Sequence, residues 1–178
     1  MMFGNKNKKS VGPSFEMAFT SGGDPASRHY FTHGFSLGDL NLIVQSEADA
    51  VDHKGNIVEL KARLTSRNKP FDKNRFFRES GFDTYFQMLF GGASLLVLGL
   101  HRTVALDTSE VDPSQIEELS IDDVKTNLPQ PSVADELLGR AAEILRAVSE
   151  ACALSSQCNR FDLALDRDSK SLALSTTE

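Results

Sequence analysis

The sequence predicts an α+β fold, in which a mixed, largely antiparallel β-sheet core is flanked by helices. Apolar and polar residues alternate over Leu40–Ala50 and again over Ile57–Arg63, as in strands with one buried face. Longer segments with the composition and spacing of helices cover residues 73–90 and 132–155. At 178 residues the chain can bury one sizeable core, so we expect a single domain over residues 11–178.

The elements can be justified in order. Residues 1–10 are expected to form a disordered tail, and Pro13 suits the first turn of a helix over 12–19. A loop at 21–25 precedes the two alternating strands. A helix is predicted over 73–90, with Gly81 as a candidate interruption and Gly91-Gly92 at its end. One or two buried strands over 94–106 follow, with Asp112-Pro113 as a candidate cap of a short helical turn. The last predicted elements are a helix capped by Ser132 and Asp135 and a terminal hairpin of residues 161–165 and 172–174.

Several classes of protein are disfavoured by composition. The longest strongly apolar stretch, Ala93–Leu100, is far shorter than the roughly 20 residues of a membrane span. Met1–Lys9 leads into polar residues and not into the apolar region of a signal peptide. Cys152 and Cys158 match neither a disulfide framework nor a zinc motif. We therefore expect an intracellular protein with no membrane partner.

Charge is distributed unevenly along the chain. Residues 1–105 hold 13 Lys and Arg against 10 Asp and Glu, whereas residues 106–178 hold 6 against 15. Seven basic residues lie between Lys61 and Arg78, with Asp72 as the one acid among them. Such a cluster beside carboxylates is typical of a site that holds a polyanion, although an ordinary solvated loop can carry the same residues.

The turn between the two alternating strands decides which side chains meet. A three-residue loop over residues 53–55, with Gly55 in the left-handed conformation, gives facing residues whose numbers sum to 108. Asp49 then lies opposite Glu59, Glu47 lies opposite Lys61, and all four side chains share one face. A two-residue turn would place the carboxylates on opposite sides.

Carboxylates of this kind, with Glu16 added, suit a divalent metal site beside a phosphate. Mg²⁺ and Mn²⁺ prefer hard oxygen ligands, and two such ions about 3.5 to 4 Å apart can hold both oxygens of a phosphoryl transfer. Asp49 is the predicted central ligand, while Lys61 would orient water and offset negative charge. The pattern predicts a metal-dependent phosphodiesterase or pyrophosphohydrolase. An exposed hairpin with simple cross-strand ion pairs remains the alternative.

The Asp, Glu-x-Lys order resembles the PD-(D/E)-x-K nuclease centre. The fuller series is Gly-x-x-x-Glu ending at Glu16, Glu-x-Asp at residues 47–49 and Glu-x-Lys at residues 59–61, followed by a helix with Tyr85-Phe86-Gln87 and the strand Leu95–Arg102. This series resembles the decapping exoribonuclease (DXO) family, which includes the fungal partner of the nuclear 5′ to 3′ exoribonuclease. The resemblance runs from Gly12 to the terminal hairpin.

The resemblance implies roles for individual residues. It implies metal binding by carboxylates and one main-chain carbonyl, which are Glu16, Glu47, Asp49, Glu59 and the carbonyl of Leu60. It implies catalytic roles for Glu47, Asp49, Glu59 and Lys61. It implies substrate contacts for Glu47, Lys61 and Gln87.

The resemblance also implies a function. Enzymes of this family remove pyrophosphate from triphosphorylated RNA, release unmethylated or NAD caps, and in several members degrade RNA from its 5′ end. A nuclear location, also extending to the cytoplasm, and a 5′ to 3′ exoribonuclease partner follow as expectations. The family also has an N-terminal segment with a substrate-binding arginine, and we expect this chain to lack it, either as a fragment or incomplete gene model or as a shortened paralogue. Two alternatives stay open: a DNA-acting nuclease with the same metal site, and a non-catalytic shortened paralogue that binds an exoribonuclease.

Overall fold

The computed structural model describes residues 15–16, 20, 29–65, 72–105, 108–154, 161–166 and 171–176. These residues form two compact units. The first comprises the described residues of Met1–Phe35 and Leu42–Pro131, and the second those of Ser36–Asn41 and Ser132–Glu178. The prediction of one domain over residues 11–178 stays a prediction, and the predicted tail and the loop at 21–25 lie outside the described residues.

The fold is α+β, with mixed and mostly antiparallel sheets flanked by helices, as the sequence predicts. Strands β1 (His29–Leu37) and β2 (Leu40–Ala48) pair as a hairpin around Gly38, whose φ is 61°. A four-stranded sheet follows in the order β3-β4-β5-β6. Its strands are β3 (Ala50–Val51), β4 (Ile57–Thr65), β5 (Leu95–Ala105) and β6 (Thr108–Ser120).

The centre of this sheet is a parallel pair joined by a helix. Strands β4 and β5 run parallel from Val58↔Leu95 to Thr65↔Arg102. Neighbouring parallel strands need a long crossover, which here contains α1 (Lys73–Gly91). Asp72 caps α1 by accepting a hydrogen bond from the amide of Arg75, and Gly92 ends it with φ 72°. The helix predicted over 73–90 is therefore confirmed.

Gly81 lies inside α1 without interrupting it, contrary to expectation. The residue is buried, and a Cβ there would lie 2.9 Å from Leu128 Cδ2 and 3.2 Å from Phe77 Cδ1. The missing side chain thus allows close packing instead of breaking the helix.

The sheet has two different faces. Val58 and Leu60 of β4 and Val97 of β5 bury one face together with Phe15, which is fully buried. Because side chains alternate along a strand, Glu59, Lys61 and Arg63 project from the opposite face, where Leu96 and Leu98 stand beside Glu59 and Lys61 in register. The charged residues of β4 thus share the face that carries Leu96 and Leu98.

Two sequence predictions in this region are wrong. Asp112-Pro113 caps no helical turn, since both residues lie within β6, where the register against β5 shifts between Gly99 and His101. Because proline cannot donate a ladder hydrogen bond, it is tolerated in a strand at an irregularity of this kind. The second is the cap of the long helix by Ser132, which lies inside that helix. A capping box is formed by Ser120 and Asp123, and Ser120 caps α2 (Ile121–Thr126).

The second unit contains a long helix and a hairpin. Helix α3 (Pro131–Leu154) begins at a proline, which suits the first helical position, so Ser132 lies inside the helix and does not cap it. Strands β7 (Phe161–Asp166) and β8 (Ser171–Thr176) pair antiparallel, which confirms the predicted terminal hairpin. Arg146 of α3 forms an ion pair with Asp39 at 2.6 Å. Among the helices described, none has the length and hydropathy required to cross a bilayer.

Candidate metal centre

The predicted turn between β3 and β4 is present. Asp52 and Asn56 face each other across it, with Asp52 N donating to Asn56 O at 2.9 Å, and Gly55 has φ 86°. Asp52 holds the turn by accepting hydrogen bonds from the amides of Lys54 and Asn56, both at 2.8 Å. The hydrogen bonds from Asn56 keep the pKa of Asp52 below its ordinary value. Strand pairs Ala50↔Val58 and Val51↔Ile57 confirm the register in which facing residue numbers sum to 108.

This ladder stops sooner than the sequence predicts. A bend at Asp49 separates β2 from β3, so the backbone leaves the edge of β4 beyond Ala50. Asp49 therefore does not pair with Glu59 through the backbone, and β2 pairs with β1, which also removes the predicted ladder pair of Glu47 with Lys61. The physical reason is that the Leu60 amide has a different acceptor. Leu60 N donates to the side-chain oxygen Asp49 Oδ2 at 2.9 Å, whereas in a continued ladder it would donate to a backbone carbonyl.

Glu59 and Lys61 are in direct contact at this edge of β4. Lys61 Nζ lies 2.5 Å from Glu59 Oε1, and the Glu59 side chain keeps only 13% of its accessible surface. Burial raises the pKa of Glu59, Lys61 lowers it through its hydrogen bond, and the charges of Asp49 and Glu16 raise it again. The net pKa lies above its ordinary value. The charge of Glu59 is therefore costly in the metal-free protein despite its lysine partner.

Glu16 reaches this centre from a separate segment. Phe15 and Glu16 are helical, and both the amide and the hydroxyl of Thr20 donate to the Glu16 carbonyl, at 3.0 and 2.9 Å. Phe15 occupies the space above Gly99, where any Cβ would overlap its ring. The absent side chain of Gly99 thus allows Phe15 to anchor the segment that carries Glu16.

The carboxylates influence one another electrostatically. Burial raises the pKa of Glu16 most, the charges of Asp49 and Glu47 raise it further, and Lys61 lowers it. The charges of Glu16, Asp49 and Glu59 therefore interact, and Lys61 acts on both Glu16 and Glu59; we call these four residues the cluster. Mutual repulsion of this kind is what a bound cation would relieve.

The donor types fit a divalent metal ion. All three side chains offer hard carboxylate oxygens, which suit Mg²⁺, Mn²⁺ and Ca²⁺. In the described residues, no three His, Cys, Asp or Glu side chains stand in an arrangement ready to hold an ion. Two of the carboxylates are held by the chain itself, since Lys61 engages Glu59 and the Leu60 amide engages Asp49. The metal roles of Glu16, Glu47, Asp49, Glu59 and the Leu60 carbonyl stay predictions.

Two other predicted site residues are exposed. Glu47 lies on the exposed side of β2, and its charge raises the pKa of Glu16. Gln87 is exposed on α1. Their predicted substrate contacts are untested by the geometry.

One residue near the site belongs to the basic cluster of residues 61–78 but to none of the motifs. Arg63 follows Lys61 on the same face of β4, and its guanidinium lies 5.1 Å from the centre of the Phe76 ring and donates to the hydroxyl of Ser80. The available signal was the alternation of Glu59, Lys61 and Arg63, but the partners on α1 cannot be read from local spacing.

The raised pKa of Glu16 leads to a test by substitution. A folded-state pKa above the unfolded value means that this group stabilises the fold fully below the unfolded pKa and loses that contribution as pH rises through the folded pKa. Metal-free Glu16→Gln should therefore unfold at a higher temperature than wild type at pH 7, and the difference should vanish below pH 4.5, the ordinary pKa. Calorimetric scans across this range in EDTA measure the effect.

The same titration with Mn²⁺ provides the control. Ligand at 100 times its Kd stabilises the binding protein by about 2.7 kcal/mol. Wild type should gain stability on addition of Mn²⁺, and Glu16→Gln should gain less. A variant that is less stable than wild type in EDTA at pH 7, with an undiminished gain from Mn²⁺, would contradict the assignment of Glu16.

Comparisons with known proteins give a result only at the level of structure. No family model and no curated protein matches the chain. It is similar to K. lactis Dxo1 in complex with manganese (TM-score 0.59, 18% identity, 85% of this chain and 47% of that one). It is also similar to Candida albicans Rai1 in complex with pU5-Mn²⁺ (0.52, 16%, 85% and 42%) and to Scheffersomyces stipitis Rai1 in complex with (3′-NADP)⁺ and calcium ion (0.53, 14%, 85% and 40%).

These similarities extend over most of the chain. The chain spans less than half the length of each of these structures. At identities below 20% they establish the fold alone. The chain therefore has the fold of the Dxo1 and Rai1 structures, the family that its sequence motifs resemble.

Proposed function

We propose that this chain carries the catalytic centre of a divalent-metal-dependent hydrolase that acts on RNA 5′ ends. The observation that carries the proposal is the cluster of Glu16, Asp49 and Glu59 around Lys61 on a fold shared with manganese-bound Dxo1. The pU5-Mn²⁺ ligand of the Candida albicans Rai1 structure supports RNA as the substrate class.

The carboxylates and Lys61 have different chemical roles in this proposal. A bound divalent ion would neutralise phosphate charge and acidify water. Glu16, Asp49 and Glu59 would hold it, with the Leu60 amide orienting Asp49 and leaving its second oxygen available. If Glu59 bound a cation, Lys61 would be released from its ion pair, and its ammonium group would be able to bind a phosphate oxygen.

The substrate preferences proposed here follow the resemblance. Triphosphate, unmethylated-cap and NAD-cap ends all present a phosphorus near the RNA terminus to the attacking water, so one centre can serve all three. Stepwise 5′ to 3′ degradation is the same reaction repeated at successive phosphodiesters. The same proposal includes the use of two Mg²⁺ or Mn²⁺ ions, a nuclear location and an exoribonuclease partner.

Hydrolysis assays on matched substrates test the proposal. The wild-type protein is incubated with Mn²⁺ and RNAs of one sequence bearing each of the three 5′ ends, and with DNA of the same sequence. We expect metal-dependent release of pyrophosphate or cap from RNA and none in EDTA. Equal cleavage of DNA would favour the DNA nuclease, and Mn²⁺ binding without any product would favour the non-catalytic paralogue.

A further inference from the structure

Arg63 differs from the other basic residues whose contacts the structure describes. Arg75, Arg140 and Arg146 each lie 2.6 or 2.7 Å from a carboxylate oxygen, as do Lys61 and Lys73 at 2.5 and 2.7 Å. Arg63 contacts only neutral groups in the described part of the chain, the hydroxyl of Ser80 and the ring of Phe76.

The guanidinium is nevertheless held in place. Phe76 and Ser80 lie one turn apart on α1, so the ring covers the guanidinium while the hydroxyl accepts from Nη2. Arg63 is only partly exposed. Partial burial of a cation without an anionic partner is unfavourable, and it is typical of a site that receives an anion. A guanidinium has five N–H donors, most of which remain for a phosphate.

The position of Arg63 indicates which phosphate it would bind. Lys61 and Arg63 are two residues apart on one face of β4, which places their Cα atoms roughly 6.6 Å apart. This separation is comparable with that of consecutive phosphates along an extended nucleic-acid strand. A strand whose reacting phosphate lies at Lys61 would therefore bring the next phosphate to Arg63.

We propose that Arg63 forms a second phosphate subsite, which binds the phosphodiester next to the one held at Lys61. The inference rests on the proposed function and deepens it, because it assigns this chain a contact with the body of the RNA. Arginine is suited to this task, since its planar fork can bind a phosphate through two parallel hydrogen bonds.

The experiment compares a ligand that reaches the second subsite with one that does not. Binding of a 5′-phosphorylated, fluorescently labelled pentauridylate is measured by anisotropy at several salt concentrations, with Ca²⁺ as the metal, and uridine 5′-monophosphate is used as a competitor. Arg63→Gln should weaken pentanucleotide binding by about tenfold and lower the salt slope by about 0.7, the value for one contact on a single strand. Its affinity for the mononucleotide should equal that of wild type.

Three further proteins make the result specific. Arg140→Gln removes the same charge from an exposed arginine that already has Glu136 as its partner and should bind both ligands like wild type. Arg63→Lys should keep the salt slope while losing part of the affinity, because lysine lacks the fork. Ser80→Ala should keep the slope as well, since the charge remains. Thermal unfolding shows that each variant is folded.

Two outcomes distinguish failure of the second subsite from failure of the proposed function. If wild type binds the pentanucleotide and Arg63→Gln binds it with the same affinity and salt slope, the second subsite is overturned and the proposed function stands. Failure of wild type to bind either ligand in the presence of metal would overturn the proposed function itself.

Discussion

Asp49→Asn should lose at least about 100-fold of the metal-dependent hydrolysis of 5′-triphosphorylated RNA. A metal ion contributes several kcal/mol of charge stabilisation to the transition state, and each 1.36 kcal/mol is a tenfold change in rate. The asparagine oxygen can still accept the hydrogen bond that Leu60 N donates to Asp49. The substitution therefore removes the charge and leaves the backbone tether in place. Pyrophosphate release at saturating Mn²⁺ is the measurement.

Asp49→Ala and Asp83→Asn complete this comparison. The alanine variant also loses the acceptor for the Leu60 amide, so it should be less stable than Asp49→Asn by about 1 to 3 kcal/mol. Asp83 is an exposed carboxylate on α1, and its asparagine variant should retain wild-type activity. Equal product from wild type and Asp49→Asn would remove Asp49 from the catalytic centre.

Gly99→Ala should produce the largest loss of stability. Gly99 lies in a central strand, between Ala62 of β4 and Ile116 of β6, and a Cβ there would overlap the ring of Phe15. Overpacking of a core typically costs about 1 to 3 kcal/mol, and occasionally more. We expect the upper end or beyond, because the Phe15 side chain is fully buried. Displacement of Phe15 should also weaken Mn²⁺ binding, since Glu16 is the next residue.

A second strand glycine serves as the control for this substitution. Nothing lies within 4 Å of a Cβ built on Gly34 of β1. Gly34→Ala should therefore be as stable as wild type or slightly more stable, because alanine restricts the unfolded chain. Denaturant unfolding measures both variants. A Gly99→Ala free energy of unfolding within about 0.5 kcal/mol of wild type would show that Phe15 can move aside at little cost.

Local patterns predicted the features that depend on neighbouring residues. The turn at Gly55 was predictable because left-handed backbone favours glycine, and the pairing of Val51 with Ile57 follows from the loop length. The alternation along β4 and the end of α1 at Gly92 are equally local. In each case the determining residues lie within a few positions of one another.

The predictions failed where a distant partner decides the outcome. Asp49 ends the ladder because its side chain accepts from Leu60, eleven residues away, and alternation alone cannot distinguish this bend from a continuous strand. Ser120 and Asp123 have the same spacing as Ser132 and Asp135, but Ser120 lies immediately before its helix, whereas Ser132 lies inside α3, which begins at Pro131. The role inferred for Arg63 depends on Ser80, seventeen residues away on α1.

The most direct test of the metal centre is anomalous scattering from a crystal of this protein soaked in Mn²⁺. We predict a manganese peak in contact with carboxylate oxygens of Asp49 and Glu59, with Glu16 beside it and Lys61 turned away from Glu59. A peak at other residues, or no peak while the Lys61–Glu59 ion pair persists at saturating Mn²⁺, would contradict the account.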